Sequence, residues 1–143
     1  MQARGEFEVR VQSIPSYTQG KDGITLGRMS IDKTFSGDLQ GQSKGEMLSA
    51  KHADKQAAGY VAIEQVSGNL DGRQGSFVMQ HYGTMQGANQ HLVLEVLPHS
   101  ATGQLQGLSG RMLINLSGGQ HSYVFDYRLP EPESVDAPDE SMS

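Results

Sequence analysis

From Ser16 to Leu97 the chain contains no proline, and through most of that stretch apolar and polar residues alternate. Alternation of period two is the mark of a strand with one face buried. The absence of proline leaves every backbone N–H free to join a ladder. Together these features point to sheet. FEVRV sets Phe7, Val9 and Val11 against Glu8 and Arg10. In 24–36, Met29, Ile31 and Phe35 share a face with Lys33. Further strands are expected over 41–51, 58–67, 74–84, 89–97, 110–117 and 121–129. The last sets Tyr123, Phe125, Tyr127 and Leu129 against Ser122, Asp126 and Arg128. Only 46–58, EMLSAKHADKQAA, is rich in helix formers, and it reads as a strand followed by a turn at His52–Gln56.

Eight sequential strands with short glycine-bearing links suggest an all-β antiparallel meander. Closure removes both exposed edges, so an eight-stranded up-and-down barrel is expected ahead of an immunoglobulin-like sandwich, which needs longer crossing connections. Four links share the outline G-x-[Leu/Met]-x-G: SGDLQG from Ser36, SGNLDGRQG from Ser67, GTMQG from Gly83 and TGQLQGLSG from Thr102. Glycine permits the tight turns and close approaches of strand ends. The one apolar side chain in each link (Leu39, Leu70, Met85 or Leu105) is placed to plug an end of the interior. The phosphate-loop reading is weak, because no copy has the following Lys or opens a helix.

The residues 1–129 are expected to form a single domain, and 130–143, PEPESVDAPDESMS, a disordered acidic tail. That tail holds five of the 16 acids and no base, so eleven acids balance eleven Lys and Arg in the body despite a net charge of −5. Basic residues are scattered, which argues against nucleic acid as a partner. No cysteine is present, so disulfides and thiolate metal sites are excluded. MQARGEFEVR lacks an apolar leader core, and no apolar run approaches a membrane span, so a cytoplasmic location and no membrane contact are expected.

The hairpin of 74–84 and 89–97 carries the first chemical candidate. Pairing Thr84 with Asn89 places Phe77, Met79, His81, Leu92, Leu94 and Val96 on one face. A shift by one residue would spoil that set. His81 is then the one polar side chain on an apolar face. It suits a general acid or base, because imidazole titrates near neutrality, and equally a histidine bonded to backbone or water at the rim. Gln80, Tyr82, His91 and Glu95 fall on the opposite face, which suits solvent or a subunit contact. The five histidines show neither H-x-H nor H-E-x-x-H spacing, and GSF at 75–77 is not a nucleophile elbow, so no metal, cofactor or serine triad is expected.

KTFSGDLQG (33–41), GSFVMQHYGT (75–84) and ATGQLQGLSG (101–110) closely resemble a bacterial family known only as a domain of unknown function, in order over residues 4–129. The resemblance implies an eight-stranded barrel of the allene oxide cyclase-like type. The glycine motif TGxLxGLxG is also similar to one in allene oxide cyclases and dirigent proteins, which bind small hydrophobic compounds, guide cyclisation or coupling, and form oligomers. A homo-oligomer, dimer or trimer, is expected on that ground. Arg28, Lys33, Glu46 and Glu64 match positions of the family's pattern. If Tyr60, Ala62 and Glu64 point inward, Glu64 and His81 form an acid–imidazole pair. If Val61 and Ile63 point inward, the more conventional choice, Glu64 is a solvated outer residue. Lys33 either neutralises an anionic headgroup or extends to the rim.

The expected role is binding of a small, mainly apolar ligand inside the barrel, by Phe77, Met79, His81, Leu92, Leu94, Glu46 and Lys33. One alternative is an isomerase or cyclase with His81 and Glu64 as its catalytic pair. The other is a structural or interaction module whose barrel is filled by side chains.

Overall fold

The computed structural model describes residues 1–130, and the expected tail from Glu131 onward lies outside them. Eight antiparallel strands follow one another around a closed barrel: β1 Gln2–Ile14, β2 Ile24–Gly37, β3 Leu39–His52, β4 Ala57–Leu70, β5 Arg73–Gln86, β6 Asn89–Val96, β7 Ser109–Asn115 and β8 His121–Arg128. Each pairs with its sequence neighbours, and β1 closes the ring on β8. The helix-former-rich stretch is strand to His52, a single 3-10 turn at Ala53–Lys55, then strand again from Ala57. Gln56 takes a left-handed conformation and ends that turn.

Two turns set the registers around the site. Between β4 and β5, Leu70 pairs with Arg73, which leaves Asp71 (φ 50°) and Gly72 (φ 91°) as a two-residue turn. Two positive φ angles make it the type I′ turn whose twist matches that of the strands. Between β5 and β6, Gln86 pairs with Asn89 around Gly87 and Ala88. The expected pairing of Thr84 with Asn89 is therefore corrected: Thr84 faces His91, and His81 faces Leu94. A two-residue turn favours the tighter register. The slip is two residues, so every side chain keeps its expected face.

The barrel has one sealed end and one open end. At the sealed end Leu39, Leu70 and Leu105 are fully buried with Phe77, Phe125 and Tyr127. Phe77 and Phe125 stack at 5.8 Å. Three of the four glycine links thus place their leucine in the plug. The fourth does not: Met85 lies at the open end and is exposed, because the β5–β6 turn points the other way. TGQLQGLSG also serves β5 beyond the end of β6. Thr102 N–H donates to the Ser76 carbonyl at 2.8 Å, and the Gln104 side chain accepts from Gln74 N–H at 2.8 Å. The ladders are uneven. β2 through β5 pair along almost their whole lengths, whereas β6 and β7 share one ladder pair, Glu95 with Arg111.

Candidate functional site

Halfway up the barrel the apolar interior is interrupted. Among the described residues the buried polar and charged side chains are Lys33, Ser43, Glu64 and His81. All four touch one another through Glu64. They come from four consecutive strands, β2, β3, β4 and β5, and the ladder explains their meeting. Lys33 pairs with Ser43 across β2–β3, and Gly45 pairs with Glu64 across β3–β4. Ala62, two residues from Glu64 on the same face, pairs with His81.

The carboxylate of Glu64 is completely enclosed. Its Oε2 accepts from Lys33 Nζ at 2.9 Å, and its Oε1 accepts from Ser43 Oγ at 2.5 Å. His81 Nε2 lies 2.8 Å from Oε2, although the ring N–H is not aligned for a good hydrogen bond, so this is a close electrostatic contact. On its other side His81 Nδ1 lies 3.2 Å from the Tyr60 hydroxyl. The Lys33 ammonium also sits 5.2 Å from the Phe7 ring centroid and 5.9 Å from that of Phe35, where the ring faces favour a cation.

Burial by itself would raise the Glu64 carboxyl. His81, Lys33 and Ser43 more than offset it and hold the group down at about 2. Glu64 is therefore ionised across the ordinary pH range. Burial, with the nearby Glu64 charge, pushes the Tyr60 phenol up to about 12. Tyr60 is thus a hydrogen-bonding phenol and not a phenolate. With Nδ1 unprotonated, His81 accepts from the Tyr60 hydroxyl, and carboxylate, imidazole and phenol stand in a line of successive contacts, the first of them a proximity and not an aligned hydrogen bond.

Tyr60 ends that line at a cavity in the open mouth. The cavity has a volume of about 320 Å³, and its walls include Met29, Met47, Tyr60, Leu92, Ile114 and Leu116. Two glycines make room for the arrangement. A Cβ on Gly83 would lie 2.7 Å from Tyr60 Cε1, and one on Gly45 would lie 2.6 Å from the Glu64 Cα. Such spacings are closer than packed atoms tolerate.

The sequence candidates divide cleanly. Lys33, Glu64 and His81 are brought together, with Phe77, Met79 and Leu94 buried on the same interior wall and Leu92 beside the cavity. The conventional choice for β4 is overturned: Val61 and Ile63 point out, and Tyr60, Ala62 and Glu64 point in. Lys33 does not extend to the rim, because its ammonium is held by Glu64. Glu46 is not inside the barrel. It pairs with Arg28 at 2.8 Å on the outer surface, where alternation from the inward Met47 and Gly45 must place it. Ser43 and Tyr60 are the members that sequence reading did not select. Both follow by parity once Glu64 is known to point inward.

The chain as a whole matches a recognised family. A family model described as a protein of unknown function (DUF3224) matches residues 3–127. No curated protein matches the chain. A crystal structure of a protein with unknown function from the same family, from Shewanella oneidensis MR-1, is similar at 50% identity with a TM-score of 0.88. That match covers 92% of this chain and 98% of the other. The family model spans all eight strands and every residue of the buried cluster, so this chain belongs to the DUF3224 family.

Proposed function

We propose that the open end of the barrel binds a small, mainly apolar molecule that presents one oxygen or nitrogen to the Tyr60 hydroxyl. The observation that carries this reading is the cavity of about 320 Å³, mainly apolar in its walls, with Lys51, Gln90 and His91 also bordering it, and meeting the buried polar line through Tyr60. A pocket of that size with few, convergent polar groups has the usual composition of a small-molecule site. A neutral fluorescent probe, N-phenyl-1-naphthylamine, tests it. Probe fluorescence should rise with the wild type and fail to rise with Leu92→Trp, which fills the mouth. It should persist with Ile63→Lys on the outer face. An unresponsive wild type, or equal binding by Leu92→Trp, rejects the reading.

The phenol–imidazole–carboxylate line favours a second reading, acid–base chemistry on the bound molecule, such as an isomerisation or cyclisation. It is supported by the succession of close contacts from Glu64 through His81 to Tyr60, and the resemblance to allene oxide cyclases belongs to this reading alone. Turnover of a candidate substrate lost in His81→Ala, with affinity retained, would favour it. Turnover unaltered by the substitution would remove His81 as catalyst.

A further inference from the structure

One of the strands that carry the buried cluster, β4, is reversed in polarity around Glu64. An antiparallel barrel ordinarily points its apolar residues inward and its polar ones outward. In YVAIEQV the pattern runs the other way: Glu64 is buried, while Val61 and Ile63 are 55% and 56% exposed. The neighbouring strands extend the exposed apolar surface. Leu48 pairs with Val61, Val61 with Tyr82, and Tyr82 with Val93, which makes a continuous row across β3, β4, β5 and β6. Leu48 and Tyr82 are 55% and 45% exposed. Four adjacent strands give a row roughly 14 Å wide. A contiguous apolar patch with a polar margin marks a contact surface.

The margin selects the occupant. Arg28 pairs with Glu46 on one side of the row, and Glu95 lies 3.5 Å from Arg111 on the other. Two acids and two bases cancel, so the rim offers no attraction to an anionic membrane or a polyanion. A second copy of the same face meets no net repulsion. Arg28 on β2 and Glu95 on β6 stand two strands to either side of β4. A twofold axis running along β4 therefore turns the Arg28 flank of one copy toward the Glu95 flank of the other. It also lays Leu48 over the partner's Tyr82 and Val61 over the partner's Val61.

We propose that the outer face of β3–β6 docks a second copy of this chain about a twofold axis along β4. The dimer covers the apolar surface behind the buried cluster and braces the two strands that hold Glu64 and His81. The proposal does not depend on what the barrel binds.

Light scattering on the full chain, coupled to size exclusion, tests it. The wild type should elute at twice its 15.5 kDa mass. Ile63→Lys and Val61→Glu should each elute at the monomer mass while keeping the aromatic circular dichroism of the wild type. Thr34→Lys, on the outer face of β2 away from the row, should remain dimeric. Because the chain has no cysteine, a short bismaleimide should join two copies of Val61→Cys across the axis, where facing sheets stand about 10 Å apart, and should not join Thr34→Cys. A monomeric wild type overturns the proposal, whether or not it binds phosphatidylcholine vesicles. A trimer, or an Ile63→Lys variant that stays dimeric, overturns it as well. A Val61→Cys variant that fails to cross-link overturns the axis.

Discussion

Glu64 is the residue on which the interior depends. Removing its charge leaves the Lys33 ammonium enclosed without a counter-ion, and breaking a buried pair from one side costs about 3–5 kcal/mol. Glu64→Gln should therefore lower the free energy of unfolding in urea by about that amount. The double variant Lys33→Met, Glu64→Leu should be less destabilised than Glu64→Gln, because no charge is stranded. The acid side follows from linkage. The folded carboxyl titrates at about 2 against an ordinary value of 4.5, so its contribution is complete above 4.5 and is lost as pH falls from 4.5 toward 2. That shift corresponds to about 3 kcal/mol. Urea midpoints measured from pH 6 down to pH 2 should fall steeply in the wild type and more gently in Glu64→Gln. The inward placement of His81 was legible, because Phe77, Met79 and Leu94 share its parity. That of Glu64 was not: local alternation in YVAIEQV argues for the opposite face, and the contacts that decide it come from residues 31 positions earlier and 17 later in the chain.

At the level of strands and turns, the space for this cluster is held open by glycines opposite large side chains. A methyl group on Gly45 would press on the Ile63 carbonyl oxygen and on Glu64 at the root of its side chain, 2.6 Å from the Glu64 Cα. Gly45→Ala should cost about 1–3 kcal/mol by overpacking, read as a lower thermal midpoint. Gly83→Ala meets the Tyr60 ring instead, at 2.7 Å from its Cε1. That ring can shift, so the variant should weaken ligand binding more than it weakens the fold, a contrast that calorimetry and probe titration together resolve. The strands themselves were readable from alternation, each expected span falling on an observed one. The β5–β6 register was not, since the apolar pattern fixes only parity and two registers two residues apart satisfy it equally. The Gly87 turn chose between them.

The molecule as a whole divides its labour between its ends. Leu70→Ala in the sealed end should cost about 2–5 kcal/mol and leave probe affinity unchanged once the protein is folded. The barrel was foreseeable because every strand neighbours the next in sequence, and the same regularity concealed which links face the plug. Met85 sits in the same glycine outline as Leu39, Leu70 and Leu105 but at the opposite end, a matter of strand direction alone.

A ring opens at its weakest joint, and here that joint is the single ladder pair between β6 and β7. Leu92 stands on one side of it and Ile114 on the other, and both line the mouth cavity. Breathing at this seam would widen the mouth sideways without disturbing the long ladders that hold Glu64. Amide hydrogens of Leu92 to Leu94 and of Leu113 and Ile114 should exchange well before those of β3 and β4, and a bound ligand should slow them. The weak joint would then set how fast a molecule enters, and the buried cluster how it is held once inside.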